Sequence, residues 1–115
     1  MRADKVQKKA SKVGFDWDNA DGAFQKVSEE LNELKEAYKK GDKDNIHEEL
    51  GDLLFSVVNV SRFVKVDSEE ALTNSTDKFI DRFSKVEKMA QEQGLDMKNT
   101  DLATLDKLWD LAKKE

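Results

Sequence analysis

Apolar side chains return every three or four residues in successive stretches of this chain, the spacing that gives an α-helix one apolar face. A first short helix is expected over about residues 3–12, ending near Gly14, since glycine is a common last residue of helices. The loop GFDWDN follows, aromatic and acidic at once. Phe24, Val27, Leu31, Leu34 and Tyr38 then form a single stripe. They predict a helix from about Ala20 to Lys40, capped by Asp18 or Asn19 and closed at Gly41.

The third stretch runs from about Lys43 to Lys65, with Asp42 or Asp44 as cap. Its stripe of Ile46, Leu50, Leu53, Leu54, Val57, Val60 and Val64 is broad, and Phe55, Val58 and Phe63 lie outside its centre. A helix apolar nearly all round is buried on several sides. A small monomer does not readily cover so much, and a homodimer is expected. Ser68, followed by Glu69 and Glu70, opens a fourth helix that carries Leu72, Phe79, Ile80, Phe83, Val86 and Met89 and stops near Gly94. A last helix spans roughly Leu102–Lys113.

Composition supports an all-α class. The chain has no proline, five glycines and many good helix formers. Its 115 residues make one domain, residues 1–115. Charged residues reach 39%, yet the apolar 37% is periodic, which argues against disorder. Without cysteine there is no disulfide, thiolate ligand or thiol nucleophile, and a cytoplasmic protein is the expectation. No apolar run approaches a membrane span, so no membrane partner is expected. The net charge of −5 hides a basic start, Arg2, Lys5, Lys8, Lys9 and Lys12, and an acidic centre between residues 16 and 52. An acidic total argues against nucleic acid as a partner.

The acidic centre holds the candidate chemistry. Glu30 and Glu33 lie in SEELNELKEA, and Glu49 and Asp52 in HEELGDLLF. Each pair is spaced i, i+3, which places two like charges on one helix face, where they repel. Helical-wheel positions put both pairs beside an apolar stripe, so antiparallel packing across the short turn at GDKD lets the four carboxylates share one groove. Such an all-oxygen set suits Mg²⁺, Mn²⁺ or Ca²⁺ rather than zinc. Glu29 and Glu48 point further outward. His47 is the sole histidine and is given no role.

VGFDW, EELNEL, EELGDLLFSVVNVSR and KFIDRFSKVE, in that order, resemble the MazG family of nucleoside triphosphate pyrophosphohydrolases. The likeness runs from RADKVQKKASKVGFDW to LDKLWDLAKK and is greatest to the C-terminal catalytic domain of two-domain members. The chain is accordingly expected to be either a fragment of such a protein or a free-standing single-domain relative. The resemblance implies a four-helix-bundle-like all-α fold of about five helices working as a dimer. It also implies Mg²⁺, with Mn²⁺ able to substitute, bound by Glu30, Glu33, Glu49 and Asp52. The implied reaction is a nucleoside triphosphate plus water giving a monophosphate and pyrophosphate, with broad specificity in keeping the nucleotide pool clean.

Lys78 and Arg82, i, i+4 in KFIDRF, are the implied phosphate contacts, and Trp17 and Trp109 the aromatics near the nucleotide. Thr76 stands where the family generally has Asn. Lys5, Lys8, Lys9 and Lys12 are weaker phosphate candidates. Phe15 and Trp17 serve alternatively to staple the first helix to the core, and Asn59 and Arg62 reach either ligand or dimer partner. Competing readings are a relative specific for dUTP, dCTP or phosphoribosyl-ATP, and a non-enzymatic helical interaction module. A di-iron bundle wants Glu-x-x-His pairs on two helices, which one histidine does not supply.

Overall fold

Every predicted helix forms within a residue or two of its expected ends in the computed structural model, which describes residues 1–115. The helices are α1 (Arg2–Lys12), α2 (Ala20–Lys40), α3 (Lys43–Phe63), α4 (Ser68–Glu92) and α5 (Leu102–Lys113), and there is no strand. A 3₁₀ turn at Met97–Asn99, which the apolar pattern does not foretell, precedes α5. The chain divides into two compact units, Met1–Glu70 and Ala71–Glu115.

In the first unit, local chemistry sets the helix ends. Asn19 accepts a hydrogen bond from the Asp21 backbone N–H at 2.9 Å and so opens α2. Gly41 closes it at φ 69°, a conformation that costs a residue with a Cβ. Asp42 at once caps α3 through the Asn45 N–H at 3.2 Å. The tight connection folds α2 and α3 into a hairpin, and α1 lies along α3. α3 stops two residues early because Lys65 takes φ 60° and the Val66 N–H returns to the Ser61 carbonyl. The cap at α4 is Asp67, which accepts from the Glu70 N–H at 3.0 Å; Ser68 is already helical.

The hairpin seam differs from the expected stripe. Ala23, Glu30 and Ala37 are buried on α2, and Val27 and Leu34 are half-buried. On α3 the covered positions along the seam are Ile46, Glu49, Leu53, Ser56, Val60 and Phe63, and Val58 is buried beside them. Both series step alternately by three and four, the spacing of a coiled-coil seam. Phe24, Leu31 and Tyr38 are 51%, 40% and 76% exposed instead. Small alanines take the line of closest approach, which turns the large side chains onto the flank.

The second unit contains most of α4 together with α5. Its apolar centre is Val86, Ala90, Leu108 and Ala112, with Met89, Leu95, Met97, Leu105 and Trp109 packed around it. Burying Leu108 or Val86 contributes roughly 1.5–3 kcal/mol each. The 3₁₀ turn is tied by Asp96, which accepts from the Lys98 N–H at 3.2 Å and from the Asn99 side chain at 2.7 Å. Leu72, Phe79 and Ile80 on α4 are more than half exposed.

Candidate metal centre and its surroundings

The middle of the α2–α3 seam is acidic. Helical spacing carries Glu30 and Glu33 along one side of α2 and Glu49 and Asp52 along the facing side of α3. One carboxylate oxygen each from Glu30, Glu49 and Asp52 lies within 4.8 Å of the other two. Glu33 sits against Glu49 at hydrogen-bonding range. Glu30 is only 6% exposed, Glu49 is half-buried, and Glu33 and Asp52 are exposed.

So much negative charge on a partly dry seam has to be offset. Lys26 does part of this: its Nζ is 3.0 Å from Glu30 Oε1 and 3.8 Å from Glu29 Oε2. Its hydrogen bond to Glu30 is the main cause that raises the lysine's proton affinity. Glu30 Oε2 and Glu49 Oε2 remain sealed from water without any hydrogen-bond donor. Loss of water around Glu49 pushes its pKa up to about 7, aided by the hydrogen bond to Glu33 and by the charges of Glu33, Asp52 and Glu30. Orphaned, crowded, oxygen-only ligands fit a hard divalent cation such as Mg²⁺ or Mn²⁺. Glu48 and His47 are exposed on the outer face of α3.

The GFDW loop is built beside this hairpin by a tether spanning 46 positions in sequence. Arg62 donates to both oxygens of Asp16, Nη1 to Oδ2 at 2.9 Å and Nη2 to Oδ1 at 2.7 Å. The guanidinium holds the Asp16 carboxyl below the usual range. Arg62 also donates to Asn59 Oδ1 and lies 4.8 Å from the Phe63 ring centroid. Arg62 is thus occupied within its own chain. Trp17 rests on Gly22, where an added Cβ would come within 2.7 Å of the indole, so the close approach requires glycine. Phe15 is 82% exposed and staples nothing. Between α1, this loop and α3 lies an open groove of about 470 Å³.

Lys78, Arg82 and Trp109 belong to the second unit. The Arg82 guanidinium lies 5.9 Å from the Trp109 ring centroid. Phe79 meets the same indole at 5.3 Å and stacks on Phe83 at 5.9 Å. Lys78 is exposed and pairs with neither Asp77 nor Asp81, the latter being bonded to Lys85 at 3.2 Å. Thr76 donates its hydroxyl hydrogen to the Leu72 carbonyl of its own helix at 2.9 Å. Lys5, Lys8, Lys9 and Lys12 are all exposed. Lys26 and Asp16 stand outside both the apolar pattern and the acidic pairs. Lys26 carries a usable signal, its i, i+4 spacing to Glu30, whereas the Asp16–Arg62 pair has no local one.

Residues 21–87 match the MazG nucleotide pyrophosphohydrolase domain. A Thermotoga maritima protein named nucleoside triphosphate pyrophosphohydrolase/pyrophosphatase MazG is 47% identical over 111 residues, covering 96% of this chain and 42% of its own. The nucleoside triphosphate pyrophosphohydrolase of Escherichia coli K12 is 38% identical over 117 residues, covering all of this chain and 44% of its own. The Bacillus subtilis protein YabN is 49% identical over 70 residues, 61% of this chain and 14% of its own. The chain therefore spans less than half the length of the curated relatives it matches. With a matched domain that includes all four clustered acids, the chain belongs to the MazG nucleotide pyrophosphohydrolase family.

Proposed function

We propose that residues 1–115 act as one MazG-like domain that hydrolyses nucleoside triphosphates to monophosphate and pyrophosphate. In this reading Glu30, Glu33, Glu49 and Asp52 hold Mg²⁺, with Mn²⁺ able to substitute. The observation that carries it is the convergence of three carboxylates within 4.8 Å, two of them with buried oxygens that meet no donor. An interaction module has no use for acids in its seam, where they oppose helix pairing.

When bound, a divalent cation supplies positive charge to the triphosphate and to the departing pyrophosphate. Glu33, at the rim of the cluster, accepts the proton of the attacking water. That water's oxygen bonds to the α-phosphorus as the bond from this phosphorus to the α,β-bridging oxygen breaks, and pyrophosphate leaves. Lys26 keeps Glu30 oriented through their 3.0 Å pair. Lys78 and Arg82 are assigned to phosphate contacts, and Trp17 and Trp109 to the nucleotide's aromatic end. The remaining work is positioning and electrostatics. Broad base tolerance is part of the proposal, since stacking on an aromatic accepts any base.

A homodimer is proposed as the working state. Leu54, Phe55 and Val57 on α3 are 46–59% exposed on the single chain, and Leu72, Phe79 and Ile80 on α4 are 56–67% exposed; clustered exposed apolar side chains mark interaction sites. No helix is long and apolar enough to cross a membrane. The deciding experiment incubates the protein and Mg²⁺ with each NTP and dNTP and identifies the products. Monophosphate with pyrophosphate is expected, and diphosphate with orthophosphate refutes the reading. Turnover confined to dUTP, dCTP or phosphoribosyl-ATP would replace broad specificity with one of the narrower alternatives.

A further inference from the structure

We propose that Lys26 sets which cation the acidic seam prefers: by holding one oxygen of Glu30 it leaves that carboxylate a single oxygen for a metal, and so disfavours a large ion such as Ca²⁺ relative to Mg²⁺. This rests on the metal-centre reading above and deepens it by naming the residue that discriminates between cations.

Lys26 stands one helical turn before Glu30 on α2. Side chains on a helix lean towards its N-terminus, which carries the Glu30 carboxylate back to the lysine. The Lys26 ammonium lies 3.0 Å from Glu30 Oε1. Oε2 of the same carboxylate is closed to water and meets no donor. The two oxygens of one buried side chain are thus in different states. One is neutralised by the protein, and the other is left for something the protein does not supply. Glu49 Oε2 is left over in the same way, beside the point where Glu30, Glu49 and Asp52 each bring one oxygen within 4.8 Å of the others.

Divalent cations differ in what they require of a carboxylate. Mg²⁺ demands a near-octahedral shell at about 2.0–2.1 Å and keeps several waters, so one oxygen from each acid suffices. Ca²⁺ takes six to eight oxygens at about 2.3–2.6 Å and often draws on both oxygens of a carboxylate. For Glu30 to offer both, Oε1 must leave the ammonium, and a charge-assisted hydrogen bond is lost. The only other acid oxygen near that ammonium, Glu29 Oε2 at 3.8 Å, is a poor replacement. The larger ion therefore meets a cost that the smaller one avoids. The charge of Lys26 repels every divalent cation alike; the discrimination comes from the oxygen it occupies.

The test is the substitution Lys26→Met in the full chain without nucleotide. Methionine keeps an unbranched apolar stem and removes the donor. Mn²⁺ is bound first and then displaced by Mg²⁺ or by Ca²⁺, with free Mn²⁺ read by electron paramagnetic resonance. The ratio of the Ca²⁺ to the Mg²⁺ dissociation constant is expected to fall about fivefold, less than a fully buried charged hydrogen bond would give, because the lysine side chain is 43% exposed. If both constants fall together and the ratio holds, Lys26 acts through its charge alone and the inference is overturned. Should the variant lose its helical circular dichroism, Lys26→Ala receives the same measurement with the same criterion. Failure of the underlying reading looks different: the unmodified chain would itself hold no Mn²⁺ and would release no pyrophosphate from any triphosphate.

Discussion

The α2–α3 hairpin and the α4–α5 pair both close on two buried alanines, Ala23 and Ala37 in one, Ala90 and Ala112 in the other. What lies between those alanines differs. The C-terminal pair fills the space with Val86 and Leu108, while the hairpin places Glu30 midway between its alanines and Glu49 on the facing helix. Small residues suffice to bring helices together. The intervening positions are then free to stabilise the fold or to hold charge, and this chain divides the two tasks between its units.

The largest effect expected from disturbing that division is on turnover. Asp52→Asn should lower kcat by about a thousandfold, a loss comparable to removing a central electrostatic group, while leaving the helical circular dichroism intact. Retained pyrophosphate release would remove Asp52 from the site. In the apolar pair the damage should fall on stability: Leu108→Ala is expected to cost about 2–4 kcal/mol in urea unfolding, and a cost below about 1 kcal/mol would show that the core relaxes around it.

The hairpin should respond in the opposite sense. Glu30→Leu is expected to stabilise the metal-free protein by about 1–2 kcal/mol, as apolar replacements of buried charges often do, and to abolish the gain in Tm that Mg²⁺ gives. Glu49 adds a pH signature. Its folded pKa of about 7 lies above the ordinary 4.5, so its contribution is fully present below the unfolded value and is lost as pH rises through the folded one. Mg²⁺ should therefore raise Tm more near pH 8 than near pH 5; an equal rise at both would deny the coupling. Smallest is Lys65→Gly. Relieving a φ of 60° should add about 0.5–1 kcal/mol, and a neutral result would mean that the turn holds no strain.

The amino-acid order made the helices and the clustering of acids readable, because both follow from a 3.6-residue period. Glu30, Glu33, Glu49 and Asp52 were expected on facing sides of α2 and α3, and the structure brings them there. The seam itself was misjudged. Ranking positions by hydrophobicity selects Phe24, Leu31 and Tyr38, whereas close helix approach selects Ala23 and Ala37. α3 ends two residues short of Lys65 because a lysine, not a glycine, takes the left-handed turn. Arg62 was named, but its bond to Asp16 joins residues 46 positions apart, and no local pattern announces such a pair.

The turn at Gly41 and Asp42 has a kinetic consequence. All four acids fall within a segment of 23 residues, Glu30 to Asp52, closed by about the shortest connection two helices accept. Bringing them together demands little loop-closure entropy, and contacts of such low order form early. The acid-bearing hairpin can therefore take shape on its own schedule, before α4 and α5 have packed on each other.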